Sequence, residues 1–391
     1  MPHRRTKRTA NSVVFATTIE RSSRIFAPLY RALVSQGISV TLISGADPSE
    51  TLPIAKPRGL RTIRVSLTRD INLRADGRAL FQIIRHLRRE RPSQVVYGTP
   101  KASAIVSIAA WITGVPNRIF VLHGLRYETM SKPTRYVLWA TDAIAARLST
   151  TTVCVSRSLQ DVAIRSKIAP ASKTLVMGHG SALGIDQSRF RPGTPADRLA
   201  ARSNLGLSID AVAVGYVGRL TNDKGITELA TAFNSILDEF PNCVLIVAGP
   251  RDSTDALPAW VTTWLDTHPN VKYVGPTNAP ETLYHAIDVL VLPTKREGLG
   301  LVALEASASG VPVITTTATG ARDAVVPFVT GLAVAPGDPI ALETALAFLI
   351  RNADLRSELG RMGPSTIAGR FSEPARIDDW MDLLRVHGKV R

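Results

Sequence analysis

With 391 residues, 45% hydrophobic and 20% charged, the chain is too long for one ordinary core and too apolar to be disordered, so two packed domains are expected. The formal charge of +15 is unevenly spread: residues 1–190 hold 29 Lys/Arg against 10 Asp/Glu, net +19, and residues 191–391 hold 18 against 22, net −4. One half is therefore suited to something anionic, whether nucleic acid, a membrane face or a phosphorylated acceptor.

Arg4, Arg5, Lys7 and Arg8 form a basic start. The apolar run at 13–16 is too short for a signal peptide and reads as a first strand. Residues 24–36 read as a helix with Ile25, Phe26, Leu29 and Leu33 on one side, and residues 40–43 as a second strand. This βαβ opening predicts a parallel, doubly wound sheet. No GxGxxG follows the first strand, so a dinucleotide cofactor is not expected. Residues 78–91 form a strongly basic helix, with Leu80, Ile83, Ile84 and Leu87 as its apolar stripe and Arg78, Arg85, Arg88, Arg89 and Arg91 around them. That pattern fits a solvated face or a surface lying on anionic headgroups. The apolar stretch 102–115 is too short to span a bilayer and reads as a buried helix.

Residues 94–101, QVVYGTPK, and 118–128, RIFVLHGLRYE, are strands running into turns. Ligands gather at the carboxyl ends of an open parallel sheet, which puts Lys101, His123 and Arg126 at one mouth with Thr17 as a neighbour. Residues 153–156 form a later strand, with Ser156 capping the helix that holds Leu159. Cys154 and Cys243 sit in apolar runs as small buried hydrophobes, and a reducing compartment follows. Residues 176–192, VMGHGSALGIDQSRFRP, are punctuated by glycine, serine and proline and read as the linker.

The alternation then restarts. A strand at 213–217 leads into GRLTNDKG, where Arg219 and Lys224 flank a glycine-containing turn as needed to hold a diphosphate. A helix at 227–240, a strand at 244–248 and a short strand at 273–275 follow. A buried strand ending at Pro293 precedes Glu297, Gly298, Leu299 and Gly300, and a helix carrying Glu305 closes at Gly310. A strand, a glycine-rich turn and a helix start make an anion site. Two carboxylates beside it point to hydroxyls, and phosphate with hydroxyls points to a sugar nucleotide. No DxD pattern stands where a catalytic metal would be needed, so neither metal nor other cofactor is expected. Residues 313–315 form another strand, and the tail 373–391 has Trp380, Leu383 and Leu384 at helical spacing.

The two glutamates, separated by seven residues, resemble the donor motif of the retaining GT-B glycosyltransferases of the family 4 type. GRLTNDKG resembles that family's diphosphate clamp. His179-Gly180-Ser181, Gly184-Ile185-Asp186 and Arg189-Phe190 resemble a segment in which an asparagine stands where His179 is here. Gly320, Asp323, Gly331 and Pro336-Gly337-Asp338 match its closing motifs. The resemblance covers nearly the whole chain and is most specific over 176–340. It implies an α/β fold of two doubly wound Rossmann-like domains facing across a cleft. Residues 1–186 would bind the acceptor and 187–372 the donor, and a C-terminal helix within 373–391 would pack back on the first domain.

The reaction implied moves a hexosyl group, with retention, from a UDP- or GDP-sugar to a lipid-linked saccharide in surface polysaccharide biosynthesis, as for capsule, exopolysaccharide or lipopolysaccharide. By position, the resemblance gives Glu297 the donor sugar and Glu305 the ribose. The amides of Gly298, Leu299, Gly300 and Leu301, beside Gly218, would face the diphosphate, and the backbone of Tyr273 and Val274 the base. Arg219 and Lys224 would offset charge on the leaving group. His123 would lie near the reacting sugar without a proton-transfer role, and Thr17, Lys101 and Arg126 are left to the acceptor. The expected partners are the nucleotide sugar, the lipid-linked acceptor and the anionic inner face of the cell membrane. The expected location is cytoplasmic and peripheral, with no nucleic acid bound. Two other readings stay open: a same-fold sugar-nucleotide epimerase, and a basic nucleic-acid-binding protein, although no RNP, helix-turn-helix or zinc-finger pattern accompanies the charge.

Overall fold

A computed structural model describes residues 9–45, 59–68, 72–252 and 255–386; the basic cluster Arg4, Arg5, Lys7 and Arg8 lies outside them. The chain divides into two compact units, Met1–Gly184 with Pro374–Arg391, and Ile185–Glu373.

The first unit is built on β1 (Thr9–Ile19), β2 (Ser39–Gly45), β3 (Arg61–Arg64), β4 (Pro92–Tyr97), β5 (Asn117–Leu122), β6 (Thr151–Cys154) and β7 (Thr174–Leu175). They form one sheet in the order β3-β2-β1-β4-β5-β6-β7, with every neighbour parallel. A parallel sheet is covered on both faces, so its strands run continuously apolar; Val13, Val14, Phe15 and Ala16 of β1 are all buried. The order reverses between β1 and β4, and that switch point is where such sheets take ligands.

The connections include α1 (Ala27–Ser35), α2 (Leu73–Glu90), α3 (Pro100–Ile112), α4 (Thr134–Leu148) and α5 (Arg157–Arg165). Ser156 caps α5 as its sequence predicts, accepting from the Leu159 amide. The helix expected at 24–36 opens instead as a 3₁₀ turn, Glu20–Phe26, and becomes α-helical at Ala27, with Pro28 in its first turn. α2 starts five residues before the expected 78, because Asn72 Oδ1 accepts from the Ala75 amide and caps it there. Its buried stripe is Ala79, Ile83 and Leu87, while Leu80 and Ile84 are half-buried and Phe81 faces outward.

The final helix, α13 (Glu373–Val386), returns to this unit. Trp380 is fully buried, donates Nε1 to the Ala182 carbonyl at 2.6 Å and meets Phe26 edge-on at 5.7 Å. Gln94 donates its side-chain amide to the Leu384 carbonyl.

The second unit repeats the plan with β8 (Ala213–Val217), β9 (Val244–Ala248), β10 (Val271–Gly275), β11 (Val289–Leu292), β12 (Val313–Thr316) and β13 (Gly331–Val334). Their order is β10-β9-β8-β11-β12-β13, again parallel, with the reversal between β8 and β11. Around them lie α6 (Pro195–Asn204), α7 (Ile226–Ile236), α8 (Ala259–Thr267), α9 (Pro280–Ala286), α10 (Leu301–Ala308), α11 (Pro339–Arg351) and α12 (Ala353–Phe371). Val214, Leu245, Val289 and Ile314 from the sheet pack with Leu229 and Phe233 of α7 and Leu346 of α11. The Ile185 amide donates to the Phe371 carbonyl and the Glu373 amide to the Ile185 carbonyl. These bonds tie Ile185 to the second unit, so the division falls at Gly184/Ile185 and Glu373/Pro374 rather than at 186/187 and 372/373. Among the described residues no helix is long and apolar enough to cross a membrane.

Candidate active site

The reversal between β8 and β11 brings two loops together, 218–225 after β8 and 293–300 after β11. Gly225 has φ +73°, and a Cβ there would stand 1.9 Å from the Pro293 carbonyl oxygen. Only glycine allows the two loops so close. Asp223 fastens them. Its carbonyl accepts from the Lys295 amide and Thr294 Oγ1, while its carboxylate accepts from Thr221 Oγ1 at 2.5 Å and Arg296 Nη2 at 2.6 Å. Burial is the largest single influence on the Asp223 carboxyl and raises it, but the Thr221 hydrogen bond and the charges of Arg296, Lys224 and Arg219 together hold it below its usual range.

Held this way, Lys224 Nζ meets Glu297 Oε1 at 2.5 Å, both side chains being mostly covered. Arg219 is half exposed and pairs with Asp252 at 2.8 Å. The Glu297 amide donates to the Thr319 carbonyl at 2.9 Å, while the amides of Gly298, Leu299 and Gly300 have no partner among the described residues. They precede the N-terminus of α10, whose first residue is Leu301. The loop therefore presents a carboxylate, a cation and a run of unspent N–H donors, the chemistry of an anion and hydroxyl site. The Gly218 amide is spent on the Ala248 carbonyl, so what that position offers is the lack of a side chain.

Glu305 lies one turn into α10, and Tyr284 Oη donates to its Oε2 at 2.9 Å. Although the residue keeps some exposed surface, protein packed around the carboxyl pushes its pKa up to about 7, with the Tyr284 hydrogen bond opposing. Tyr273 donates Oη to the Gly249 carbonyl at 3.0 Å, and the Arg251 guanidinium lies 4.7 Å from its ring centroid. Val274 beside it is exposed.

In the first unit the switch point holds a small cavity between β1, β4 and β5, lined among others by Thr17, Phe26, Gly98, Thr99 and His123. Burial pushes the His123 imidazole down to about 4, so it is neutral near pH 7 and available for hydrogen bonding only in that form. Of the four residues expected at this mouth, Thr17 and His123 line the cavity. Lys101 instead pairs with Asp76 of α2 at 2.7 Å and donates to Thr68 Oγ1 at 3.0 Å. Arg126 is exposed beside the Asp142 carboxyl, which burial pushes up to about 7.

Sequence reasoning missed Tyr284, Asp252 and the fastening role of Asp223. For Asp223 a signal existed in its place between Arg219 and Gly225. Tyr284 and Asp252 carried none, because their partners are contacts across the fold. Among the described residues no group of three His, Cys, Asp or Glu side chains is placed to hold a metal ion.

Two family models match, "Glycosyl transferases group 1" over residues 197–366 and "Glycosyl transferase 4-like domain" over residues 22–180. The capsular polysaccharide biosynthesis glycosyltransferase CapM of Staphylococcus aureus is 36% identical over 308 residues, covering 79% of this chain and 80% of the relative. The chain belongs to the group 1 glycosyltransferases. Another relative of this glycosyltransferase is the Escherichia coli UDP-Gal:alpha-D-GlcNAc-diphosphoundecaprenol alpha-1,3-galactosyltransferase, 26% identical over 65% of each chain. Its fold matches sucrose-phosphate synthase from Thermosynechococcus elongatus with a TM-score of 0.81, at 22% identity over 96% of this chain and 98% of that one. Both units are thus Rossmann-like domains of the GT-B type, and the enzyme's Lys224, Glu297 and Glu305 lie within the group 1 match.

Proposed function

We propose that this glycosyltransferase moves a hexosyl group, with retention of configuration, from a nucleotide-diphosphate sugar to a lipid-linked saccharide during surface polysaccharide biosynthesis. The observation that carries the reading is the Lys224–Glu297 pair set beside the unspent amides of Gly298 to Gly300, with Glu305 one turn further along α10. The diphosphate takes the amides and the Lys224 and Arg219 cations, Glu297 accepts from sugar hydroxyls, and Glu305 accepts from the ribose. As the glycosidic bond to phosphate breaks, negative charge grows on the leaving diphosphate, and these fixed donors stabilise it. With two cations in one loop the reaction is written without a metal ion.

The acceptor reading draws on the names of the two relatives, one of capsule biosynthesis and one acting on a diphosphoundecaprenol-linked sugar. An anionic membrane face suits such an acceptor. α2 carries Arg74, Arg78, Arg85, Arg88 and Arg89 with Phe81 67% exposed among them, while Trp111 of α3 and Tyr136 of α4 are also exposed. Basic and aromatic side chains of this kind favour a headgroup layer over nucleic acid.

The deciding experiment incubates the enzyme with a panel of UDP- and GDP-sugars and a polyprenyl-diphosphate-linked saccharide, and reads the anomeric configuration of the product by NMR. A new α-linkage from an α-donor is expected. Conversion of the donor sugar without acceptor would make the enzyme an epimerase, and an inverted product would remove retention.

A further inference from the structure

A second cavity, of about 340 Å³, lies in the second unit at the end of α10 remote from Glu297. Its polar walls are Arg198 of α6, Tyr284 and His285 of α9, Ser309 just past α10, and Arg361 of α12. The volume sits at the small end of the range for metabolite pockets, ~300–1,000 Å³.

Three features give it the character of a binding site. Ser309 is only 5% exposed, yet its hydroxyl has no hydrogen-bond partner among the described residues. A buried hydroxyl of that kind is costly unless something completes it. Charge is the second feature. Asp288 accepts from Arg198 Nη2 at 2.7 Å, from Arg202 Nη1 at 3.3 Å and from the Ala213 amide at 2.7 Å, so one carboxylate is shared by two guanidinium groups. Arg361 makes no ion pair among the described residues, and no acidic side chain lines the cavity. Third, His285 is held by a contact between its Nε2 and the Arg191 carbonyl at 3.1 Å, with Gly193 close against the ring. The guanidinium groups of Arg198 and Arg361, an unspent hydroxyl and an oriented imidazole meet in one concave space, beside apolar surface from Ile287 and Val311.

We infer that this cavity binds a small phosphate monoester, of the size of a hexose phosphate, at a place separate from the donor site. Guanidinium forks match phosphate oxygens, the Ser309 hydroxyl completes the shell, and the apolar wall takes the organic body. The site also shares Tyr284 with Glu305, so its occupant stands one side chain from the ribose carboxylate.

The test is calorimetric titration of the full chain with glucose 6-phosphate and, separately, glucose. One saturable site for glucose 6-phosphate and none for glucose is expected. Arg361→Gln, a change at an exposed position, should weaken binding about tenfold, the loss of one charge-assisted contact, and Ser309→Ala should weaken it too. Lys224→Ala should leave it unchanged. No saturable binding at millimolar concentration overturns the inference. So does binding lost in Lys224→Ala but kept in Arg361→Gln, which would place the ligand in the donor site. Either failure leaves the donor assignment standing, since that rests on other residues.

Discussion

Lys224 and Glu297 meet in one short contact, so a donor bound as proposed would share in that pair rather than find either group idle. Lys224→Ala should lower the transfer rate at subsaturating donor by about ten- to a hundredfold, a loss of ~1.5–3 kcal/mol. Initial-rate measurements check this, and full activity would take Lys224 away from the phosphates. Glu305 makes a different demand. Its carboxyl titrates at about 7 because the surrounding protein disfavours the charged form. In the proposed contact with Glu305 the ribose hydroxyls donate, which favours the carboxylate, so affinity should rise as pH climbs from about 6 to about 8. An intact nucleotide sugar is the right probe, because its diphosphate diester does not titrate there. Glu305→Gln should flatten that rise. Tyr284→Phe, by deleting the hydrogen bond that favours the carboxylate, should move it to higher pH. Glu297→Gln should keep nucleotide affinity and lower the rate; an equal loss of affinity in both glutamine variants would end the division of labour. That Glu297 and Glu305 share one strand, turn and helix start was legible because both stand beside glycines in one local segment. Tyr284 was not, since nothing near residue 284 says that it faces α10.

At the scale of elements, β8 and β9 fall where the sequence places them, at 213–217 and 244–248, because buried parallel strands are continuous apolar runs bounded by turns. α12 was not legible. It holds Gly360, Gly363 and Pro364 inside a helix, and Gly363 interrupts the buried row of Leu359, Ile367 and Phe371. The glycines serve contact instead: a Cβ on Gly363 would stand 2.2 Å from the Ser307 carbonyl of α10, so the two backbones pack directly. The loop junction behaves likewise. Gly225→Ala combines a positive φ with a clash on Pro293, so it should cost roughly 1–3 kcal/mol of stability and weaken donor binding. Thermal unfolding with and without donor reads both, and an unchanged midpoint would refute the close-approach account. For α2, changing Arg85, Arg88 and Arg89 to Gln should remove co-sedimentation with anionic vesicles at low salt and leave neutral vesicles unbound. An unchanged triple variant would put the membrane contact elsewhere.

Across the whole molecule, two strand–helix alternations separated by a glycine- and proline-punctuated linker made two Rossmann-like units readable, and the split of +19 against −4 assigned the basic face to the first. The exact place of division was not readable, because it is set by the backbone bonds of Ile185 to Phe371 and Glu373. Trp380 ties the last helix into the first unit. Trp380→Ala should cost ~3–5 kcal/mol there, as for other large core truncations, while nucleotide binding in the second unit persists. Denaturant unfolding followed alongside nucleotide binding would show one property falling without the other. The same helix has a consequence for the order of synthesis. The surface that Trp380 covers, around Phe26 and the Ala182 carbonyl, is made early, but its cover follows only after residues 185–373. At roughly 5–20 residues per second, the ribosome leaves that patch bare for about 10–40 s while the second unit emerges and folds. The first unit to be translated is thus the last to be completed, and in that interval it is a natural client for a chaperone.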